Sequence, residues 1–140
     1  MTRLWIACLL LAPLLASADE RILSFHSDIL VRADGVLEVT DTIRFRAEGW
    51  QIKRGIFRGY PTACKDCFGN DITVKYDPLT VMRNDRLEDF RSEKYGNGIR
   101  TYFGRADRFL EIGEHTYSYR YTAGRMLGFF DDHDELYWNV

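Results

Sequence analysis

"HTYSYRY", His115 to Tyr121, is the stretch on which the fold turns. Tyr117, Tyr119 and Tyr121 fall on one side, and Thr116, Ser118 and Arg120 on the other. A repeat of two is the side-chain period of a strand, whereas a helix would scatter these tyrosines around its axis. A tyrosine stripe can stack on sugars, but packing into a protein core is the preferred reading, because each ring carries a large apolar area.

The same period recurs upstream. Leu23, Phe25, Ser27, Ile29 and Val31 alternate with Ser24, His26, Asp28, Leu30 and Arg32. "ADG", Ala33 to Gly35, is a hairpin signal, since Asp-Gly tolerates the positive φ of tight turns. Leu37, Val39, Ile43 and Phe45 then share a face, opposite Thr40, Thr42, Arg44 and Arg46. Asp41 intrudes on the apolar face. It reads as a bulge or edge position, or as a carboxylate satisfied by a nearby donor, rather than as a catalytic group. Ile72, Val74 and Tyr76 alternate until Pro78 interrupts, and Leu79 to Met82 continues. "RNDR" (Arg83 to Arg86) and "GNG" (Gly96 to Gly98) read as turns. Ile99, Thr101 and Phe103 alternate with Arg100 and Tyr102, and Leu136, Trp138 and Val140 with Tyr137 and Asn139. The expectation is an all-β antiparallel sandwich, immunoglobulin-like or similar, of six to eight strands. Leu37, Ile43, Phe45, Tyr119 and Trp138 should share one core.

"MTRLWIACLLLAPLLASADE" opens the chain. Arg3, the apolar run Leu4 to Leu15 and the small residues Ala16-Ser17-Ala18 form a secretory signal pattern over residues 1–18. The run is shorter than the about 20 residues a spanning helix needs. The mature domain is expected over residues 19–140, cut short at its C-terminal end, since Val140 falls inside a strand. Removing Arg3 takes Lys+Arg from 19 to 18 against 21 acidic residues, a net charge of −3. That is ordinary for one soluble domain and gives no support to nucleic-acid binding, which favours a strongly basic face.

Three segments carry a family resemblance: "DGVLEVTDTIRFRAEG" (Asp34 to Gly49), "IKRGIFRGYPT" (Ile52 to Thr62) and "GFFDDHDELYWNV" (Gly128 to Val140). In this order they resemble the N-terminal domain of the bacterial membrane proteins called domain of unknown function 2207. The resemblance implies an extracytoplasmic β-sandwich followed by transmembrane helices beyond Val140. It implies no reaction and no catalytic residue. Cys64 and Cys67 depart from the family pattern, as does Asp41, where a Glu is common.

Three clusters invite chemistry. Cys64 and Cys67 in "ACKDC" read as a local disulfide in an oxidising compartment, with free thiols, a redox pair or a metal half-site as alternatives. "DDHDE" places Asp131, Asp132, Asp134 and Glu135 around His133; it reads as a solvated turn, lacking the spacing of a Ca²⁺ loop. "KRGIFRGYP" carries Arg54 and Arg58. Pairing of at least one of these arginines with the acidic turn is expected, with Ile56, Phe57, Phe129 and Phe130 anchoring both loops at one end. The alternative is a basic surface for anionic lipid or polysaccharide. No cofactor or metal is expected. The leading functional reading is a non-enzymatic binding or assembly domain of an inner-membrane protein, facing the periplasm, with an envelope protein or polysaccharide as partner. The alternative is a cell-envelope hydrolase using acidic residues.

Overall fold

Two eleven-residue strands, β2 (Leu37–Ala47) and β10 (Gly113–Ala123), pair antiparallel without a break from Ala47 opposite Gly113 to Leu37 opposite Ala123. In this computed structural model, which describes residues 19–65, 69–136 and 138, they form the centre of a five-stranded sheet. Its order is β1 (Arg21–Val31), β2, β10, β6 (Tyr76–Arg83), β7 (Arg86–Leu87). A second, three-stranded sheet is ordered β3 (Phe57–Pro61), β9 (Gly98–Phe103), β8 (Phe90–Tyr95). Two small hairpins complete the described residues: β4 (Ala63–Lys65) with β5 (Asp71–Thr73), and β11 (Leu127–Phe129) with β12 (Asp134–Leu136). Every pairing is antiparallel, and the two larger sheets pack face to face as a sandwich.

The alternation written in the sequence is the burial pattern. Leu37, Val39, Asp41, Ile43, Phe45 and Ala47 of β2 are all buried, and so are His115, Tyr117, Tyr119, Tyr121 and Ala123 of β10. From the opposite sheet, Phe103 meets them, its ring centroid 4.7 Å from Tyr119 and 5.3 Å from Tyr117. Tyr60 of β3 stacks on Tyr76 at 4.5 Å, and Trp138 packs against the same cluster. Burial of one such ring contributes about 1.5–3 kcal/mol, and a well-placed ring pair about 0.5–1.5 kcal/mol more. The tyrosine stripe therefore belongs to the core. Its hydroxyls bring polarity inside: Tyr119 bonds Tyr76 and, at 3.3 Å, Thr101, which bonds Ser92 at 2.8 Å. Desolvation pushes the Tyr117 hydroxyl up to about 12 and raises Tyr119 and Tyr121 further.

Several local expectations change. The strand expected to run from Ile72 to Tyr76 breaks at Val74 and Lys75, where the Val74 amide donates to the Thr62 carbonyl at 2.7 Å. Pro78 does not interrupt β6. It sits opposite Tyr121 at a register shift, on a stretch that β7 does not reach, so its missing N–H costs no ladder bond on that side. β3 and β8 were not legible as strands: one carries Gly59 and Pro61, and the other turns mostly charged residues to solvent. "RNDR" is the β6–β7 hairpin, with Asn84 and Asp85 both at positive φ (50° and 64°), the geometry of a type I′ turn. The expected signal segment, residues 1–18, lies outside the described residues, as do Tyr137, Asn139 and Val140.

The start of the described chain is tied down by one side chain. The Glu20 carboxylate accepts N–H bonds from Glu48, Trp50 and Gln51 at 2.9, 3.0 and 2.6 Å, and from Ile52 at 3.2 Å. Desolvation alone would raise its pKa, but these amides outweigh it and hold the group at about 2 instead of 4.5. A depressed folded-state pKa contributes stability above the unfolded value and loses it as pH falls through the folded one. The stability gap between the native chain and Glu20→Gln is therefore expected at pH 7, shrinking below pH 4.5 and gone near pH 2. Urea unfolding of both proteins across this range checks it; a gap that does not change with pH contradicts it.

Candidate functional site

Asp41 lies at 0% exposure in the middle of β2, yet it is fully engaged. The Ser27 hydroxyl of β1 donates to Oδ1 at 2.7 Å. Arg58 Nη2 of β3 and the Tyr121 hydroxyl of β10 donate to Oδ2 at 3.2 and 3.3 Å. The guanidinium of Arg58, only 29% exposed, also lies over the Phe25 ring at 4.9 Å. Four strands from both sheets thus meet at one carboxylate. The reading of Asp41 as a residue satisfied by nearby donors holds.

The expected partnership of the arginines does not. Arg58 belongs to Asp41, because alternation along β3 points Arg58 and Tyr60 into the sandwich while Phe57 and Gly59 face out. Arg54, one position before the strand's close approach to β9, stays exposed with its guanidinium 4.4 Å over the Phe109 ring. Among the described residues, no arginine pairs with Asp131, Asp132, Asp134 or Glu135. These acidic side chains are exposed, Asp132 bonding only His133 at 2.8 Å. The supposed anchors fail too: Phe129 is 74% and Phe130 41% exposed. The paired-cysteine reading cannot be followed here: Cys67 and the Cys64 side chain lie outside the described residues, and only the Cys64 backbone is placed, opposite Ile72.

A surface that was not singled out lies on the outer face of the three-stranded sheet. Arg100 is held over the rings of Tyr95 at 3.4 Å and Phe57 at 4.4 Å, and Arg91 over Tyr102 at 4.1 Å. Glu93 receives the Tyr102 hydroxyl at 2.8 Å and Arg91 at 2.9 Å, in that order the causes that lower its pKa. At one end of this face, between the start of β3 and the end of β9, is a cleft of about 190 Å³ whose wall includes Arg54, Arg91, Arg105, Phe57 and Tyr102. The alternation of Arg100 and Tyr102 with Ile99 and Thr101 was visible in the sequence; that β3 and β8 would flank them with Phe57 and Arg91 was not. A second concavity, about 280 Å³, lies on the outer face of the five-stranded sheet. Its carboxylates are already engaged, Asp28 with His26 at 3.1 Å and Glu38 with Arg32 at 3.3 Å.

The family model described as "Predicted membrane protein (DUF2207) N-terminal domain" matches residues 21–140. The chain belongs to this family. The three segments that carry the resemblance converge in space: the first supplies Asp41, the second Arg58 and Tyr60, and the third Trp138, whose ring lies 5.9 Å from Tyr60 and 6.3 Å from Tyr121. The chain is also 28% identical over 124 residues to "Uncharacterized protein YciQ" of Escherichia coli (strain K12), covering 89% of this chain. It spans 20% of that protein's length. No solved structure matches. Among the described residues no helix is long and apolar enough to cross a membrane.

Proposed function

We propose that this DUF2207 domain is a non-catalytic binding or assembly module carried on the extracytoplasmic side of its membrane protein. The observation that carries the reading is the use made of Asp41. It is the one fully buried carboxylate among the described residues. Its oxygens are spent on Ser27, Arg58 and Tyr121, which join the two sheets. Glycosidic hydrolysis needs two carboxyl groups facing one cleft; the arginine-lined cleft has none on its wall, and the two of the other concavity, Asp28 and Glu38, are engaged by His26 and Arg32. The secretory pattern of residues 1–18 supports the extracytoplasmic placement.

Two measurements on the full-length protein test this. A cysteine placed at Ser118, on the outward side of β10, should react with a membrane-impermeant maleimide in intact spheroplasts. The purified protein should release no reducing sugar from envelope polysaccharide. Labelling only after lysis, or sugar release that disappears on changing acidic residues, overturns the reading in favour of a different location or of a hydrolase.

A further inference from the structure

We infer that the cleft between the start of β3 and the end of β9 binds a phosphate group, an inference that rests on the binding-module reading and names its ligand. The whole sequence carries a net charge of −2, yet this wall presents Arg54, Arg91 and Arg105 and no carboxylate, with Glu93, Asp107 and Asp89 meeting two of these arginines from outside it. The guanidiniums are set in place before any ligand arrives. Arg91 lies over Tyr102, 4.1 Å from its ring centroid, and gives one nitrogen to Glu93 at 2.9 Å. Arg105 is gripped at two points by Asp107, at 2.9 and 2.8 Å, which holds that carboxyl at about 2, and Asp89 lies 3.8 Å from the Arg105 Nη1. Arg54 is braced on Phe109 and has no carboxylate partner among the described residues.

A planar guanidinium fork held against a ring loses little freedom on binding an oxyanion, and arginine is the side chain best matched to phosphate oxygens. Arg54 can offer its whole fork, while Arg91 and Arg105 can offer the N–H groups not given to Glu93 and Asp107; donors from three directions suit a tetrahedral phosphate better than a planar carboxylate. The volume, about 190 Å³, admits a phosphate with part of its substituent. Gly55 and Gly104 allow the two backbones at its edge to close up, because a Cβ at either would overlap the opposing carbonyl.

The test uses the purified chain and three probes: inorganic phosphate, long-chain polyphosphate, and vesicles of phosphatidylglycerol. Binding to at least one is expected, weakening with added salt. Arg54→Glu and Arg91→Gln should each weaken it roughly tenfold, while Arg21→Glu, on the other sheet, leaves it unchanged. Which probe binds identifies the carrier: a free anion, a polymer or a lipid surface. Failure to bind any probe, or binding that Arg54→Glu and Arg91→Gln leave intact, overturns the phosphate site. If that happens while spheroplast labelling and the lack of sugar release hold, the module reading stands without this ligand.

Discussion

Replacing Asp41 with alanine is expected to lower the unfolding free energy by about 3 kcal/mol. The change removes the acceptor of three hydrogen bonds and leaves the Arg58 guanidinium, only 29% exposed, without its carboxylate. Losing one partner of a buried pair costs roughly 3–5 kcal/mol, and the partial solvent access of Arg58 places this site at the lower end. Removing both charges is different in kind. Asp41→Leu combined with Arg58→Met should recover most of the loss, because the desolvation of both ions disappears along with their attraction. Urea titration of the single and double variants measures both statements. A loss under about 1 kcal/mol for Asp41→Ala would show that the pair is not structurally important.

Gly55→Ala should be at least as damaging, by about 3 kcal/mol or more, or should leave the protein insoluble. Gly55 has φ +139°, and a Cβ there would sit 1.8 Å from the Phe103 carbonyl oxygen and 3.3 Å from the Tyr117 hydroxyl. The carbonyl cannot retreat, since the Phe103 amide is bonded to Ile56 at 2.9 Å and the strand beyond is paired on both edges. Gly59, four residues on, is the control: nothing lies within 4 Å of its added Cβ, so Gly59→Ala should change stability by under about 1 kcal/mol. Thermal melts of the two variants compare them directly. Equal behaviour would mean that the backbone contact at Gly55 relaxes freely.

The Arg-Gly-Ile core of the second segment thereby acquires a physical meaning: Gly55 lets β3 close onto β9, Ile56 packs against the core, and Arg54 is left on the rim of the cleft. None of this was legible from the residues alone. "KRGIFRGYP" shows a basic stretch, and the natural partner for a basic stretch is an acidic one. The acidic turn at Asp131 to Glu135 was the wrong choice because charge has no address in a sequence. What assigned Arg58 to Asp41 was the register of β3 against β9 and the sandwiching of one sheet on the other.

The period-two alternation of β1, β2, β9 and β10 determined by itself that this chain is all-β and antiparallel, and which residues turn inward. Leu37, Ile43, Phe45 and Tyr119 are buried, and Trp138 packs against them, as their spacing required. Side-chain direction in a strand is a local property, set by the backbone's two-residue repeat, so a sequence states it directly. Which strands lie opposite one another is not local. The juxtaposition of Arg54, Arg91 and Arg105 joins chain positions as much as 51 residues apart (54 to 105), brought together by three strands and the loop that follows β9. Only the tertiary structure decided that these arginines share a cleft while Arg58, from the same stretch as Arg54, is consumed inside.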